Sequence, residues 1–551
     1  MSAIESPAMT RRRLLKIGGA TAAGLAVHPL FAGAATDPRR RKPNIVLFYA
    51  DDLDCDELGC TFKSRKWASW TGAKRLRIKA ARGGYSGRGM LTPHIDALAK
   101  NGATLERFYI TSPVCTPSRY SLMTGRLATR SPRFQRKYPA GTHATLGWDT
   151  VIDTSETSLP KALQQAGYKT GLVGKWHNFS THKGFDKKAR LKHAPGMTDL
   201  KKKGRIEKLQ KAHASAVEQL LSGQGWDFAD RINIGNTAFN LPWMIEGALN
   251  FIDQHKDAPF FLYVPFPVPH GPYTSSSNNL RKLNPLITSA GLLEKAPDVM
   301  PSVESVYQRL KKARIPASHA MATHMDDAVG TVLNKLDALN LRDNTIVLFI
   351  SDHGSRGKNS CYESAARVPA FMSWPGQIKP GSAVQSLCAN TDIAATLVEA
   401  AGGTLPADIA VDSRSFLAQL KGHPEPADWR KALLLEIGNT KAAVTRQWKY
   451  IANRVPPRVE ELMRKDALRA KKTGKQRRVF WTGLTHHNYG NERDFRHYFD
   501  ADQLYDLDRD LYETTNLAGK PECASTLQEM QEHLKRLSAS LPHPFGEFGK
   551  H

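Results

Sequence analysis

Five short runs constrain this fold more than anything else in the chain: Ile45 to Tyr49 (IVLFY), Thr170 to Val173 (TGLV), Phe260 to Val264 (FFLYV), Thr345 to Ile350 (TIVLFI) and Ala370 to Ser373 (AFMS). They are rich in β-branched and aromatic residues and do not alternate apolar with polar, the pattern of strands covered on both faces, as in a parallel sheet. Between them lie helical patterns at His94 to Asn101, Ser158 to Gly167 with Gly167 as its stop, Leu241 to His255 and Ser318 to Leu339. Strands alternating with helices predict an α/β fold, a mainly parallel central sheet flanked by helices. At 551 residues the chain exceeds the ~250–300 at which one core stops growing, so a second unit is expected. The pattern changes near residue 435: Leu433 to Glu436, Ala442 to Thr445 and Lys449 to Asn453 alternate like short antiparallel strands, and Thr526 to Leu537 has helical spacing. We therefore expect a main α/β domain over 36–435 and, over 436–551, a smaller C-terminal subdomain containing a short antiparallel sheet and a helix.

The residues that follow the strands carry the chemistry. Asp51 and Asp52 come after IVLFY, Gly174-Lys175-Trp176-His177 after TGLV, His270 after FFLYV, and Asp352 and His353 after TIVLFI. In open α/β sheets ligands bind beyond the carboxyl ends of the strands, so these groups should converge on one crevice. Alone, each has a plainer reading: an Asp pair as a helix cap, a histidine as a surface group, Lys-Trp-His as loop. Together, three carboxylates suit a hard divalent cation such as Ca²⁺ or Mg²⁺. Lysines, histidines and an arginine around that cation suit an anion with several oxygens, which points to transfer of a sulfuryl or phosphoryl group.

The first 35 residues read as an export signal. Thr10-Arg11-Arg12-Arg13-Leu14-Leu15-Lys16, an apolar stretch to Phe31, and Ala32-Gly33-Ala34-Ala35 fit a bacterial twin-arginine signal peptide with its cleavage site over 1–35. The stretch is broken by His28-Pro29 and falls short of the ~20 residues of a spanning helix, and no later segment qualifies, so no transmembrane segment is expected. The destination is periplasmic or secreted, by way of the twin-arginine translocation machinery, which carries folded proteins. A formal charge of +26 and a pI near 9.8 suggest a polyanionic partner; export argues against nucleic acid and for an anionic glycan, envelope polymer or small acid ester. The charge concentrates in residues 62–88, which hold nine Lys and Arg and no acid with Trp67, Trp70 and Tyr85 interleaved, and again at Lys183 to Arg205 and Arg464 to Arg478. These are either sugar-stacking, anion-pairing surfaces or solvated insertions. Six cysteines form no C-x-x-C pair; a Cys55–Cys60 bridge is left open.

The stretch Cys115-Thr116-Pro117-Ser118-Arg119 resembles the C-x-P-x-R signature of type I sulfatases, in the alkaline phosphatase superfamily, whose cysteine a cytoplasmic formylglycine-generating enzyme oxidises to formylglycine. The resemblance extends through Thr92-Pro93-His94-Ile95-Asp96, Ser121-Leu122-Met123-Thr124-Gly125-Arg126, Gly174-Lys175-Trp176-His177, Pro269-His270, Ser351-Asp352-His353-Gly354, Lys358 with Tyr362-Glu363 and Arg367-Val368-Pro369, and the late Leu504-Tyr505-Asp506-Leu507 and Glu513-Thr514-Thr515-Asn516-Leu517. It implies a sulfuric ester hydrolase acting on a sulfate ester, that of a sulfated glycan or other anionic carbohydrate in view of the charge. Asp51, Asp52, Asp352 and His353, with an oxygen of modified Cys115, would hold one cation, Ca²⁺ with Mg²⁺ as the alternative, since His353 stands where many members have Asn. Arg119 would steady the modified residue, Lys175 and Lys358 would clamp sulfate oxygens, His270 would protonate the leaving group, and His177 would take a proton as sulfate departs. Lys358 also has a plainer reading as a solvated loop lysine. A phosphonate or phosphate ester hydrolase of the same superfamily is the alternative, and a noncatalytic glycan binder a remoter one. In the C-terminal part, Trp481 and His486-His487 read as surface residues that could also line the pocket.

Overall fold

The computed structural model describes residues 42–62, 89–142, 144–148, 150–179, 200, 204–234, 240–270, 280–454, 457–474, 494–543 and 545–546. Its central sheet has eight strands: β1 (Asn44–Asp51), β2 (Ala103–Leu105), β3 (Lys169–Trp176), β4 (Phe228–Ile234), β5 (Phe260–Pro269), β6 (Thr345–Ser351), β7 (Ala370–Ser373) and β8 (Ser382–Val384), in the spatial order β8-β2-β7-β6-β1-β5-β3-β4. β1 lies between β5 and β6 and is parallel to both; β3 is parallel to β5 and β4, and β8 to β2. β7 alone runs against its neighbours, which corrects the reading of AFMS as a parallel strand. A parallel return needs a crossover, usually a helix; between β6 and β7 the only helix is the four-residue turn Glu363–Ala366.

Every residue of β1 is buried, and its pleat divides them between two cores. Ile45, Leu47 and Tyr49 face the cluster that includes Tyr120, Leu122 and Met123 of helix α2 (Cys115–Thr124). Val46, Phe48 and Ala50 face the other, formed with helices α1 (Pro93–Asn101), α3 (Leu241–His255) and α4 (Ala320–Ala338). Continuous apolar runs therefore mean what the sequence suggested, a sheet with helices on both faces. β4 escaped notice because FADRINI carries Asp230 and Arg231 in its middle. At a sheet edge such residues can reach water, and charge there discourages edge pairing.

Four further strands form an antiparallel sheet: β9 (Leu433–Ile437), β10 (Thr440–Val444), β11 (Trp448–Asn453) and β12 (Asp502–Asp506), in that order. The first three match the alternating segments; β12 was known only as a family-like stretch. Leu434, Ala443, Tyr450, Ala452 and Leu504 pack on Met530 and Leu534 of the C-terminal helix (Ala524–Ser538), while Leu433, Leu435, Ala442, Val444, Ile451 and Tyr505 join the main core beside α2. This small sheet is thus a layer between its own helix and the larger body.

All six cysteines are free, so Cys55 and Cys60 are not bridged. Among the described residues no helix is long and apolar enough to cross a membrane. The signal segment 1–35, most of the basic run 62–88 with Trp67, Trp70 and Tyr85, most of the run 183–205, the segment 475–478, and Trp481, His486 and His487 lie outside the described residues.

Candidate active site

The strands change shape as they reach the carboxyl edge. β1 slips register between Tyr49 and Asp51, and Asp52 takes a left-handed backbone, φ 66°. β3 slips between Val173 and Lys175. At Gly174, with φ 123°, a Cβ would lie 2.4 Å from the Pro265 carbonyl oxygen, so only glycine passes there. Such bulges re-aim the side chains that follow them, here Asp51 and Asp52 on one strand and Lys175 on the next.

The aimed groups meet at Cys115, the first residue of α2. Its Sγ lies 3.3 Å from His353 Nε2, 3.5 Å from Lys358 Nζ and 3.6 Å from Asp51 Oδ1. Lys358 Nζ donates to Asp52 Oδ1 at 2.8 Å, Lys175 Nζ is paired with Asp51, and Arg119 Nη2 donates to Asp352 Oδ2 at 2.9 Å. His270 Nε2 stands 3.5 Å from Asp52 Oδ2. Cys115 and the three carboxylates are buried, as are Arg119, Lys175 and Lys358; Lys358 is 1% exposed, which removes the solvated-loop reading. Because Arg119 lies one helical turn beyond Cys115, a single helix presents both residues to the carboxylates. Its positive end falls at Cys115, where a negative group is favoured.

His177 is the outermost member. It lies two residues past Lys175 with its ring 5.6 Å from that of Trp148, and Lys358 Nζ is 5.9 Å from the same Trp148 ring. The neighbouring Asn178 amide donates to the Thr116 carbonyl at 2.9 Å, so this chain segment runs beside the start of α2. All ten sequence candidates are described, and nine are joined by direct contacts around Cys115; His177 is linked through Trp148.

Sequence reasoning missed Trp148, which has no local motif, and the support beneath Asp352. There Tyr49 Oη and Ser118 Oγ lie 2.7 Å apart, and the Ser118 hydroxyl donates to the Asp352 carbonyl at 2.6 Å. The position of Tyr49 on β1 and of Ser118 one turn into α2 was the only available signal.

Electrostatics differentiates the carboxylates. Burial would raise Asp51, yet Lys175, His270, Arg119 and Lys358 hold it well below the usual carboxylate range. Asp52 is likewise held low against burial by His270, Lys358 and His353. Asp352 is raised, by burial first and then by Asp51. Burial pulls His270 down to about 4, with Asp52 pulling the other way. For His353 the balance reverses: burial lowers it, but Asp352 and Cys115 bring it to about 9. Its Nδ1 donates to the Gly354 carbonyl at 3.0 Å, which leaves Nε2 facing Cys115.

Ligand atoms of Asp51, Cys115, Asp352 and His353 lie within 4.8 Å of one another, as do those of Asp51, Asp52 and His270. An oxygen-rich set of this kind fits a hard divalent cation. Three cationic side chains interleaved with the carboxylates leave the site able to take an anion once such a cation is held.

The family model described as Sulfatase matches residues 43–403, a span that contains every residue named above. The chain is 27% identical to the N-acetylgalactosamine-6-O-sulfatase of Bacteroides thetaiotaomicron, over 90% of this chain and 93% of that protein. It is 27% identical to the steryl-sulfatase of Rattus norvegicus, over 70% of this chain and 71% of that one. Among solved structures, one determined in complex with its substrate D-glucosamine-2-N,6-O-disulfate has a similar fold, with a TM-score of 0.54 at 19% identity over 91% of this chain and 98% of that chain.

Proposed function

The chain belongs to the sulfatase family and is a sulfuric ester hydrolase, and from that premise we propose that it removes sulfate from a sulfated glycan through a formylglycine made from Cys115. The observation that carries the proposal is the meeting of Asp51, Asp52, Asp352, His353, Lys175, Lys358 and Arg119 around one buried cysteine. A thiol kept only for packing would have no use for such surroundings. The same observation supports Asp51, Asp52, Asp352 and His353 as the residues that would hold one divalent cation, Ca²⁺ with Mg²⁺ as the alternative, beside the modified Cys115. When present, the cation would favour ionisation of the hydrated aldehyde and so supply a nucleophile for sulfur near neutral pH.

The remaining work falls to the chain's own side chains. Lys175 and Lys358 hold sulfate oxygens, where buried fixed charge is worth far more than in water. Arg119, anchored by Asp352, faces the negative charge that develops at position 115. His270 gives its proton to the departing sugar oxygen. Without substrate burial keeps it neutral, and the arriving sulfate anion adds negative charge that favours its protonated form. His177 takes the proton whose loss releases sulfate and restores the aldehyde.

A glycan substrate is supported by the names of the Bacteroides relative and of the disulfated glucosamine complex and by the formal charge of +26. The steryl-sulfatase shows that family membership alone does not fix the alcohol. Both sequence relatives named here are sulfatases, which disfavours the phosphonate or phosphate ester alternative. The twin-arginine pattern read at 1–35 supports maturation by a formylglycine-generating enzyme before export of the folded chain, which would explain how an exported chain carries such a cysteine. A desulfation screen across defined glycan sulfates, with Cys115→Ala as blank, tests the proposal. Release of sulfate from at least one sugar position is expected; turnover of phosphate esters alone would contradict it.

A further inference from the structure

Lys358 sits in the loop between β6 and the short helix Glu363–Ala366, and the small antiparallel sheet holds that loop from behind. Lys449 on β11 is fully buried. Its Nζ donates to the Cys361 carbonyl at 3.0 Å and pairs with Glu363 Oε1 at 2.7 Å and Glu513 Oε1 at 3.0 Å. Glu513 returns to the same loop, its Oε2 accepting the Glu363 backbone N–H at 2.6 Å. Next to these, Tyr362 stacks on Phe495 with centroids 3.9 Å apart and donates its hydroxyl to Gln503 on β12 at 2.8 Å. On the loop's other side the Asn359 N–H donates to Pro113, two residues before Cys115.

We infer that Lys449 and Glu513 are positioning residues for the reaction, fixing through Cys361 and Glu363 the place from which Lys358 reaches Asp52 and Cys115. Fold stability alone explains the cluster poorly. Glu363, Glu513, Lys449 and, 3.6 Å from Glu363, Arg367 are all buried; taking such charges out of water is costly, and well-packed apolar residues are often as stable or more so in such places. Burial, aided by Glu363, pushes the Glu513 carboxyl up to about 8 against the pull of Lys449, a sign of that cost. Asn359 and Glu513 also hold left-handed backbones, φ 67° and 54°; asparagine enters that region readily, but glutamate does so only where the surroundings impose it. Both lie in the path from the small sheet to Lys358. A buried polar network specifies one arrangement where apolar packing would tolerate several, and a misplacement of about 1 Å at a reacting centre can cost ~100-fold in rate.

The inference rests on the role given to Lys358 above, and a double-mutant cycle tests both separately. Lys449→Met in the matured holoenzyme is expected to lower kcat about 10- to 100-fold with KM changed less than about threefold. In a Lys358→Ala background the same substitution is expected to change kcat less than about twofold. An undiminished kcat in Lys449→Met, or an equal loss in both backgrounds, overturns the inference. A Lys358→Ala enzyme with full kcat overturns the role of Lys358 as well. Should Lys449→Met fail to fold, Glu513→Ala, which removes both the acceptor of the Glu363 N–H and the neighbour of Lys449, replaces it in the cycle with the same expectation of a loss that vanishes without Lys358.

Discussion

Two buried charge clusters flank the loop that carries Lys358, and they are built differently. At the strand ends, Asp51, Asp52 and Asp352 face Arg119, Lys175 and Lys358. Behind the loop, Glu363 and Glu513 face Lys449, with Arg367 3.6 Å from Glu363. The first is assembled by topology: parallel strands end at one edge, so residues hundreds of positions apart arrive together. The second is assembled by the docking of one sheet on another, through side chains that point out of the small sheet into the larger body. On the proposed function the first would exchange partners with a cation and a sulfate, whereas the second would keep the partners it has.

That contrast predicts a graded response to substitution. Removing the nucleophile's source should have the largest effect: Cys115→Ala should reduce sulfate release to the level of the uncatalysed blank, with unchanged circular dichroism. Lys358→Ala should lower kcat by ~10²–10³-fold, as loss of a fixed charge at a reacting group does. His270→Ala should cost ~10²–10⁴-fold on a sugar sulfate, and markedly less on a nitrophenyl sulfate, whose leaving group hardly needs a proton. An equal loss on both esters would remove the leaving-group role.

In the second cluster the smaller rate loss expected of Lys449→Met is joined by an effect on stability and its pH dependence. The Glu513 carboxyl has a folded-state value of about 8 against 4.5 in its reference state. A raised acid favours the native state fully below the lower value and progressively less as pH rises to the upper one. Urea titrations should therefore show a stability decline between about pH 4.5 and 8 that Glu513→Gln flattens; an unchanged slope would mean Glu513 is ionised throughout. Smallest for catalysis should be Leu434→Ala, on the face of β9 turned to the C-terminal helix. It should cost about 2–5 kcal/mol of stability and leave kcat within about twofold.

The same contrast explains what the sequence made legible. Asp51, Lys175, His270 and Asp352 follow apolar runs whose continuity already implies a two-sided sheet, so their meeting follows from the rule for parallel strand ends. Lys358 and Arg119 do not end strands and were reached through the motif resemblance. Trp148 and Lys449 gave no signal, and Glu513 stood in a family-like stretch with no role attached, since their meaning lies in partners brought together by packing; Glu363 and Glu513 are 150 residues apart. The reversal of β7 was hidden because a run as short as AFMS reads alike in either direction. β4 and β12 were hidden because their polar residues, at a sheet edge and in a small half-polar sheet, break the pattern a buried strand would show.

The account turns on the chemical state of residue 115 in working enzyme. Peptide mass spectrometry of the tryptic fragment Phe108 to Arg119, from protein that releases sulfate and was produced with a maturation system, reads it directly. An aldehyde at position 115, trapped by a hydrazine reagent and absent from Cys115→Ala, is the predicted result; full activity from protein carrying only the thiol would contradict the account.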